Sequence, residues 1–244
     1  MPGPVYQSFN SFSYTTGTAA TSHNVTINKP SGVSNGDVLF LTMGLRQDDG
    51  VGRALSTDPV FDAAYPWTKV RETAPYNQSA QANRTWTYFR YVANAASEPA
   101  SYTCTINYAS AFAMVAATIT ARFSGAGPIR PINASADFVD TGLAVAFPQV
   151  TTTLPDTLIL FSSSARNLQT AFSFSGGTPP TVITFLTATL TTTLSLGVAY
   201  KAQSAAGLSA AETGTWSGGG GSTANGTTAA LASDLVASTS WIRA

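Results

Sequence analysis

Charge is what this chain has least of. Asp, Glu, Lys and Arg make up 10% of its 244 residues, and the 12 basic side chains cancel the 12 acidic ones. An average soluble protein carries roughly 25%. So sparse and balanced a charge offers no electrostatic footprint for DNA, RNA or an anionic membrane surface. Neither nucleic-acid binding nor membrane insertion is expected. Few charges also leave little like-charge repulsion between copies, which fits a protein that assembles. Cysteine is almost missing too. Cys104 stands alone, so no intrachain disulfide can form, which argues against a small disulfide-stapled secreted domain. It lies in the alternating run Ser101-Tyr102-Thr103-Cys104-Thr105-Ile106, where a small buried apolar role is expected. His23 is the sole histidine. One histidine and one cysteine far apart argue against a structural zinc site, and His23, between Ser22 and Asn24, is expected to be solvated. No run approaches the roughly 20 apolar residues of a membrane span. Met1-Pro2-Gly3-Pro4 lacks the basic start and apolar stretch of a signal peptide, so synthesis in a cytoplasm without export is expected.

What the chain does have is short strands and turns. Asn24 to Ile27 reads as a strand ended by Pro30. Asp37 to Met43 is apolar on both faces, as in a strand central to a sandwich. Arg84 to Val92 alternates, and Ala113 to Phe123, Leu143 to Val150, Thr157 to Ser163, Thr181 to Leu186 and Leu194 to Lys201 follow. Turn clusters such as Ser124-Gly125-Ala126-Gly127-Pro128 separate them. No stretch combines helical period with helix caps. The fold class is therefore all-β, with little or no helix.

Two parts of the chain echo each other in order. Gly36-Asp37 opens Val38-Leu39-Phe40-Leu41, and Pro155-Asp156 opens Thr157-Leu158-Ile159-Leu160-Phe161. Pro66 to Val70 answers Pro179 to Ile183, and Tyr88 to Ala93 answers Gly197 to Ala202. Val115 to Arg122 answers Val236 to Arg243. No linker composition separates the halves. The expected organisation is a single β-sandwich over 1–244 with pseudo-repeats of about 22–124 and 132–244; the alternative is two small sandwiches with a boundary near 125–131.

Direct chemistry is scarce. Gly32-Val33-Ser34-Asn35-Gly36 has the G-x-S-x-G spacing of a nucleophile elbow, but a strand rather than a helix follows it, so a turn is expected. Glu72, Glu98 and Glu212 stand near turns or strand ends and are expected on the solvated surface rather than as a glycosidase pair. Asp48, Asp49, Asp58 and Asp62 share a Gly-rich loop that reads as ordinary polar surface, with Ca²⁺ ligation as the other reading. No catalytic residue, cofactor or metal ligand is assigned. Among the aromatics, Tyr65, Trp67 and Tyr76 lie in or near loops and are the candidate ligand or partner contacts.

Pro30-Ser31-Gly32-Val33-Ser34-Asn35-Gly36-Asp37-Val38-Leu39-Phe40-Leu41 resembles the P-x-G-V-x-x-G-D-h-L opening of bacteriophage virion proteins. Pro66-Trp67-Thr68 resembles their G-W-T turn, with proline in place of glycine. Tyr91 to Thr103, with Glu98-Pro99 inside it, resembles their A-x-E-P-x-s-Y strand–turn–strand. The resemblance runs from about Val25 to Ala244. It implies a jelly-roll-like antiparallel β-sandwich and a non-enzymatic structural protein on the virion exterior, assembled in the host cytoplasm. Head decoration and tail or fibre component both remain open. Implied partners are capsid or tail proteins, further copies of the chain (a trimer is expected) and a host-surface glycan. The rival readings are a carbohydrate-binding module using loop aromatics and, third, a glycan-cleaving enzyme.

Overall fold

The computed structural model describes residues 3–48, 58–73, 76–78, 81–127, 132–140, 142–190, 193–218 and 224–233. The first half holds β1 (Val5–Asn28), β2 (Val38–Asp48), β3 (Val60–Phe61), β4 (Thr68–Glu72), β5 (Tyr76–Gln78), β6 (Gln81–Tyr91) and β7 (Ser101–Ser124). The second holds β8 (Ile132–Asp140), β9 (Ala144–Phe147), β10 (Thr151–Thr152), β11 (Thr157–Arg166), β12 (Ala171–Phe174), β13 (Thr181–Thr189) and β14 (Thr193–Gln203). It ends with β15 (Gly207–Leu208), β16 (Glu212–Ser217) and β17 (Ala224–Leu231). One 3-10 turn, Ala95–Ser97, interrupts the strands. Among the described residues all pairings are antiparallel, and the fold is all-β and sandwich-like.

The large sheet of the first half runs β1-β7-β2-β6-β4, and that of the second runs β13-β14-β11-β17-β8. Numbered by chain order within each half, and with the second sheet read from its β8 end, the two sequences of neighbours are the same: first, fifth, second, fourth, third strand. A small sheet backs each large one. In the first half it is the far end of the β1/β7 ribbon, Ser22–Asn28 against Ser101–Asn107, with β3 on the outside. Register shifts between Thr16 and Ser22 mark where the ribbon folds over, as bulges do. In the second half the small sheet is β12-β16-β9.

Side-chain alternation then fixes the layers. Leu39, Leu41, Met43 and Leu45 of β2 face Val25, Ile27, Tyr102 and Cys104 of the small sheet. Ile159 and Phe161 of β11 face Val145, Phe147, Phe172 and Trp216. The opposite faces of the two large sheets pack on each other, joining Val38, Phe40 and Phe123 to Leu158, Leu160 and Leu231. Ile119 meets Leu194, Leu196 and Val198 alongside. The molecule is thus four layers thick, with one core inside each half and a third between the halves.

This facing corrects the register of the echo. β2 turns even-numbered residues toward the other half, and β11 does the same. Val38 therefore corresponds to Leu158, not to Thr157, because a one-residue slip would turn every side chain to the wrong face. Gly36 (φ 87°) then falls on Asp156 (φ 51°), both left-handed turn residues just before their strands. The strand answering β7 beside β11 is β17, whereas Val236 to Arg243 lie outside the described residues.

Candidate functional site

The Gly32–Asp37 turn and the Tyr91–Thr103 segment meet at one end of the first half. Asp37 Oδ2 accepts from the Ser34 backbone N–H (2.7 Å) and from Arg122 Nε (2.6 Å), closing the Gly32–Asp37 turn onto the end of β7. Ala95 N–H donates to Asn35 Oδ1 (2.7 Å), which ties that turn to the 3-10 turn. Arg90 clasps Glu98 with two bonds, Nε to Oε2 (3.0 Å) and Nη2 to Oε1 (2.8 Å). Tyr102 Oη donates to the same carboxylate (2.7 Å). Burial opposes ionisation of Glu98, yet the bonds from Arg90 and Tyr102 and the Arg90 charge win and hold its carboxyl below the ordinary range. Glu98 is buried, with 2% of its side chain exposed, as is Glu212. Both were expected on the solvated surface. Each is instead a buried partner of a cation, since Lys201 Nζ meets Glu212 Oε1 at 2.5 Å. Arg90 stands opposite Leu39, and Lys201 opposite Ile159. The two ion pairs therefore occupy corresponding places.

His23 departs from expectation in the same way. It is 5% exposed and wedged edge-on between the rings of Tyr14 and Tyr108. Cys104 is fully buried, and burial pushes its thiol up to about 12. Gly32 to Gly36 is a turn leading into β2, without the helix that a nucleophile elbow needs.

The three candidate contact aromatics do not form one platform. Tyr65 is half-buried, edge-on to Tyr102 with the Arg90 guanidinium 5.4 Å from its ring centre. Tyr76 sits in β5 with its backbone opposite Asn83; its side chain lies outside the described residues. Trp67 is only 8% exposed and belongs to the core, tilted on Phe61 at 5.8 Å and edge-on to Tyr102 at 5.3 Å. Its remaining edge lines a cleft of 450 Å³ with Phe61, Tyr88, Asp58, Asp62 and Lys69.

This cleft brings apolar surface and charge together. Lys69 Nζ bridges Asp58 (2.6 Å) and Glu72 (3.0 Å) at its rim. The bond to Asp58 raises the Lys69 ammonium above its usual range despite some burial. Trp67 Nε1 and Tyr88 Oη are buried and meet no acceptor among the described residues. Burial keeps Tyr88 protonated far into the alkaline range, so its hydroxyl is a donor. Buried donors of this sort are ordinarily satisfied, and leaving one bare costs about 1–3 kcal/mol. The place of Trp67 near a loop hinted at the cleft, whereas Tyr88 reads in the sequence as a strand aromatic, a kind more often core than contact. Of the acidic loop, Asp49 and its neighbours through residue 57 lie outside the described residues. Asp62 Oδ1 accepts from Ala64 N–H (2.9 Å) in a local turn. Among the described residues no three His, Cys, Asp or Glu side chains gather as a metal site would need. Compared with known proteins, the chain matches no family model, no curated protein and no solved structure.

Proposed function

We propose that the chain is a structural protein of a bacteriophage particle's exterior, acting through assembly contacts rather than catalysis. One observation carries the reading. The residues on which the resemblance rests, Gly36-Asp37 and Glu98 with Tyr102, are those that clamp turns to strands through Asp37–Arg122 and Glu98–Arg90. What the resemblance covers is thus a framework, and a framework is what a decoration or fibre protein contributes. Mass spectrometry and cryo-EM of purified particles test it: the chain is expected in stoichiometric amount on the outer surface. Its absence from particles overturns the reading.

The cleft favours a second reading, glycan binding, which a virion-borne protein can combine with the first. An aromatic wall and a carboxylate rim are the complement of a sugar's apolar face and hydroxyls. Glycan-array binding that Asp62→Asn abolishes, with the fold unchanged, supports it. Trp67→Ala is a poor probe, because it opens the core.

A further inference from the structure

The two flanks of the four-layer stack differ in charge. Among the described residues, β1 of the large sheets pairs only with β7 and β13 only with β14, so both are edge strands there. Stacking of the sheets sets β1 beside β13 on one flank and β4 beside β8 on the other. β4 carries Lys69, Arg71 and Glu72, and β8 carries Asp137 and Asp140. β1 and β13 carry no Asp, Glu, Lys, Arg or Pro at all. An edge strand presents a row of unpaired N–H and C=O groups, and charges and prolines are the usual means of keeping other strands off it. Here one flank has those means and the other lacks them on both of its edges.

Exposure points to the same flank. Among the described residues seven large apolar side chains are exposed, and four of them lie on or next to these edges: Val5, Phe9, Phe185 and Leu190.

We propose that this flank is a self-association surface, on which β1 of one copy pairs antiparallel with β1 of a second copy while β13 meets β13. One two-fold axis normal to the sheets produces both pairings, because the two large sheets are stacked and share a normal. Each then continues from one copy into the next. A second copy is the occupant that fits. A charge-free edge meets another without burying any ion, whereas a charged partner would find nothing to pair with. The opposite flank would set Lys69 and Arg71 against their own counterparts. The pairable length of β1, Val5 to Thr16, is about 40 Å at strand rise. It is interrupted at Ser11, whose N–H donates to Asn10 Oδ1 (2.8 Å) and whose C=O accepts from Asn28 Nδ2 (3.3 Å). Across two stacked layers that gives roughly 600–800 Å² per copy, the size of a stable interface. The axis is two-fold, in place of the trimer expected of a fibre or of a decoration at a three-fold axis.

The interface stands independently of the virion reading: a dimer absent from particles keeps the first and removes the second, and a monomer present in particles does the opposite. Sedimentation equilibrium of the full chain is expected to show a dimer. Phe9→Lys combined with Phe185→Lys is expected to weaken it by roughly tenfold or more, and Thr68→Lys on the charged flank to leave it unchanged. Circular dichroism and melting establish that each variant is folded. Single replacements Phe9→Cys, Ser11→Cys and Ser13→Cys supply a second readout: at least one forms a reducible cross-linked dimer, and Thr68→Cys forms none. A wild-type monomer at the highest soluble concentration, a trimer, a dimer indifferent to the lysines, or no cross-link along β1 overturns the proposal.

Discussion

At the scale of single residues, buried charge and missing volume carry the sharpest consequences. Glu98 is almost wholly buried against Arg90, so removing one member strands the other. Glu98→Ala is expected to cost about 3 kcal/mol at neutral pH, as broken buried pairs do, measured as a fall in the urea midpoint. Its pH dependence has a definite sign. Because the folded carboxyl titrates below its ordinary value, its contribution is complete above the unfolded value of about 4.3. It is lost as pH falls from there through the folded value. Wild type is therefore expected to lose more stability between neutral pH and strong acid than Glu98→Gln does. Equal acid sensitivity in the two would refute this. Gly197 illustrates volume. Trp86 stands opposite Met43, and Gly197 stands opposite Ser163 at the corresponding place. The first half fills its core there from the large sheet. The second fills it from the small sheet with Trp216, whose Nε1 donates to Ser163 Oγ (3.0 Å). A Cβ on Gly197 would lie 2.5 Å from Phe172 and 3.0 Å from Trp216. Gly197→Ala is expected to cost about 1–3 kcal/mol by overpacking, with a matching fall in melting temperature.

At the scale of elements, a polar seam runs through the apolar interface between the large sheets. Thr42 Oγ1 and Ser162 Oγ are 2.7 Å apart, and under the corrected register they are equivalent positions. Asn225 Oδ1 accepts from Thr85 Oγ1 (2.5 Å) and Ser164 Oγ (2.7 Å), while Asn225 Nδ2 donates to Asn83 O (2.8 Å). Thr42→Val or Ser162→Ala alone leaves a buried hydroxyl bare and is expected to cost about 1–3 kcal/mol, whereas the double replacement is nearly neutral. A double-mutant cycle by urea unfolding checks this, and purely additive losses would contradict it. The elements differ in how legible they were. β2 showed itself because both faces are buried, so it reads as a continuous apolar run. Only Asn24 to Ile27 of β1 could be read, because the rest is an edge strand of Ser, Thr and mostly half-buried aromatics with no clean apolar alternation in sequence. β17 stayed hidden for the opposite reason. All eight of its residues are buried, yet Ala, Gly, Thr and Asn carry no apolar signature, and only flanking strands bury them. The cleft was half legible, through Trp67. Tyr88 joins it because β6 brings residue 88 beside β4, a long-range pairing that no local spacing records.

At the scale of the whole molecule, the halves meet as two copies of one surface would. Thr42 touching its own counterpart Ser162 is the mark of an isologous contact, where a residue near the axis meets its equivalent. The interface is also no minor seam. Phe40, Phe123, Leu160 and Leu196 are fully buried and lie in the clusters that span it. A half without its partner would bare the outer face of its large sheet, an apolar patch beyond what a soluble monomer exposes. Neither half is then expected to survive when the other unfolds. Differential scanning calorimetry should give a single transition in which the calorimetric and van't Hoff enthalpies agree. Phe40→Ala sits in that interface rather than in either half's own core. It should lower the single transition by about 3–5 kcal/mol and leave it single. Two transitions in wild type, or a Phe40→Ala variant in which one half melts ahead of the other, would show that the central core joins two independent sandwiches instead of completing one cooperative fold.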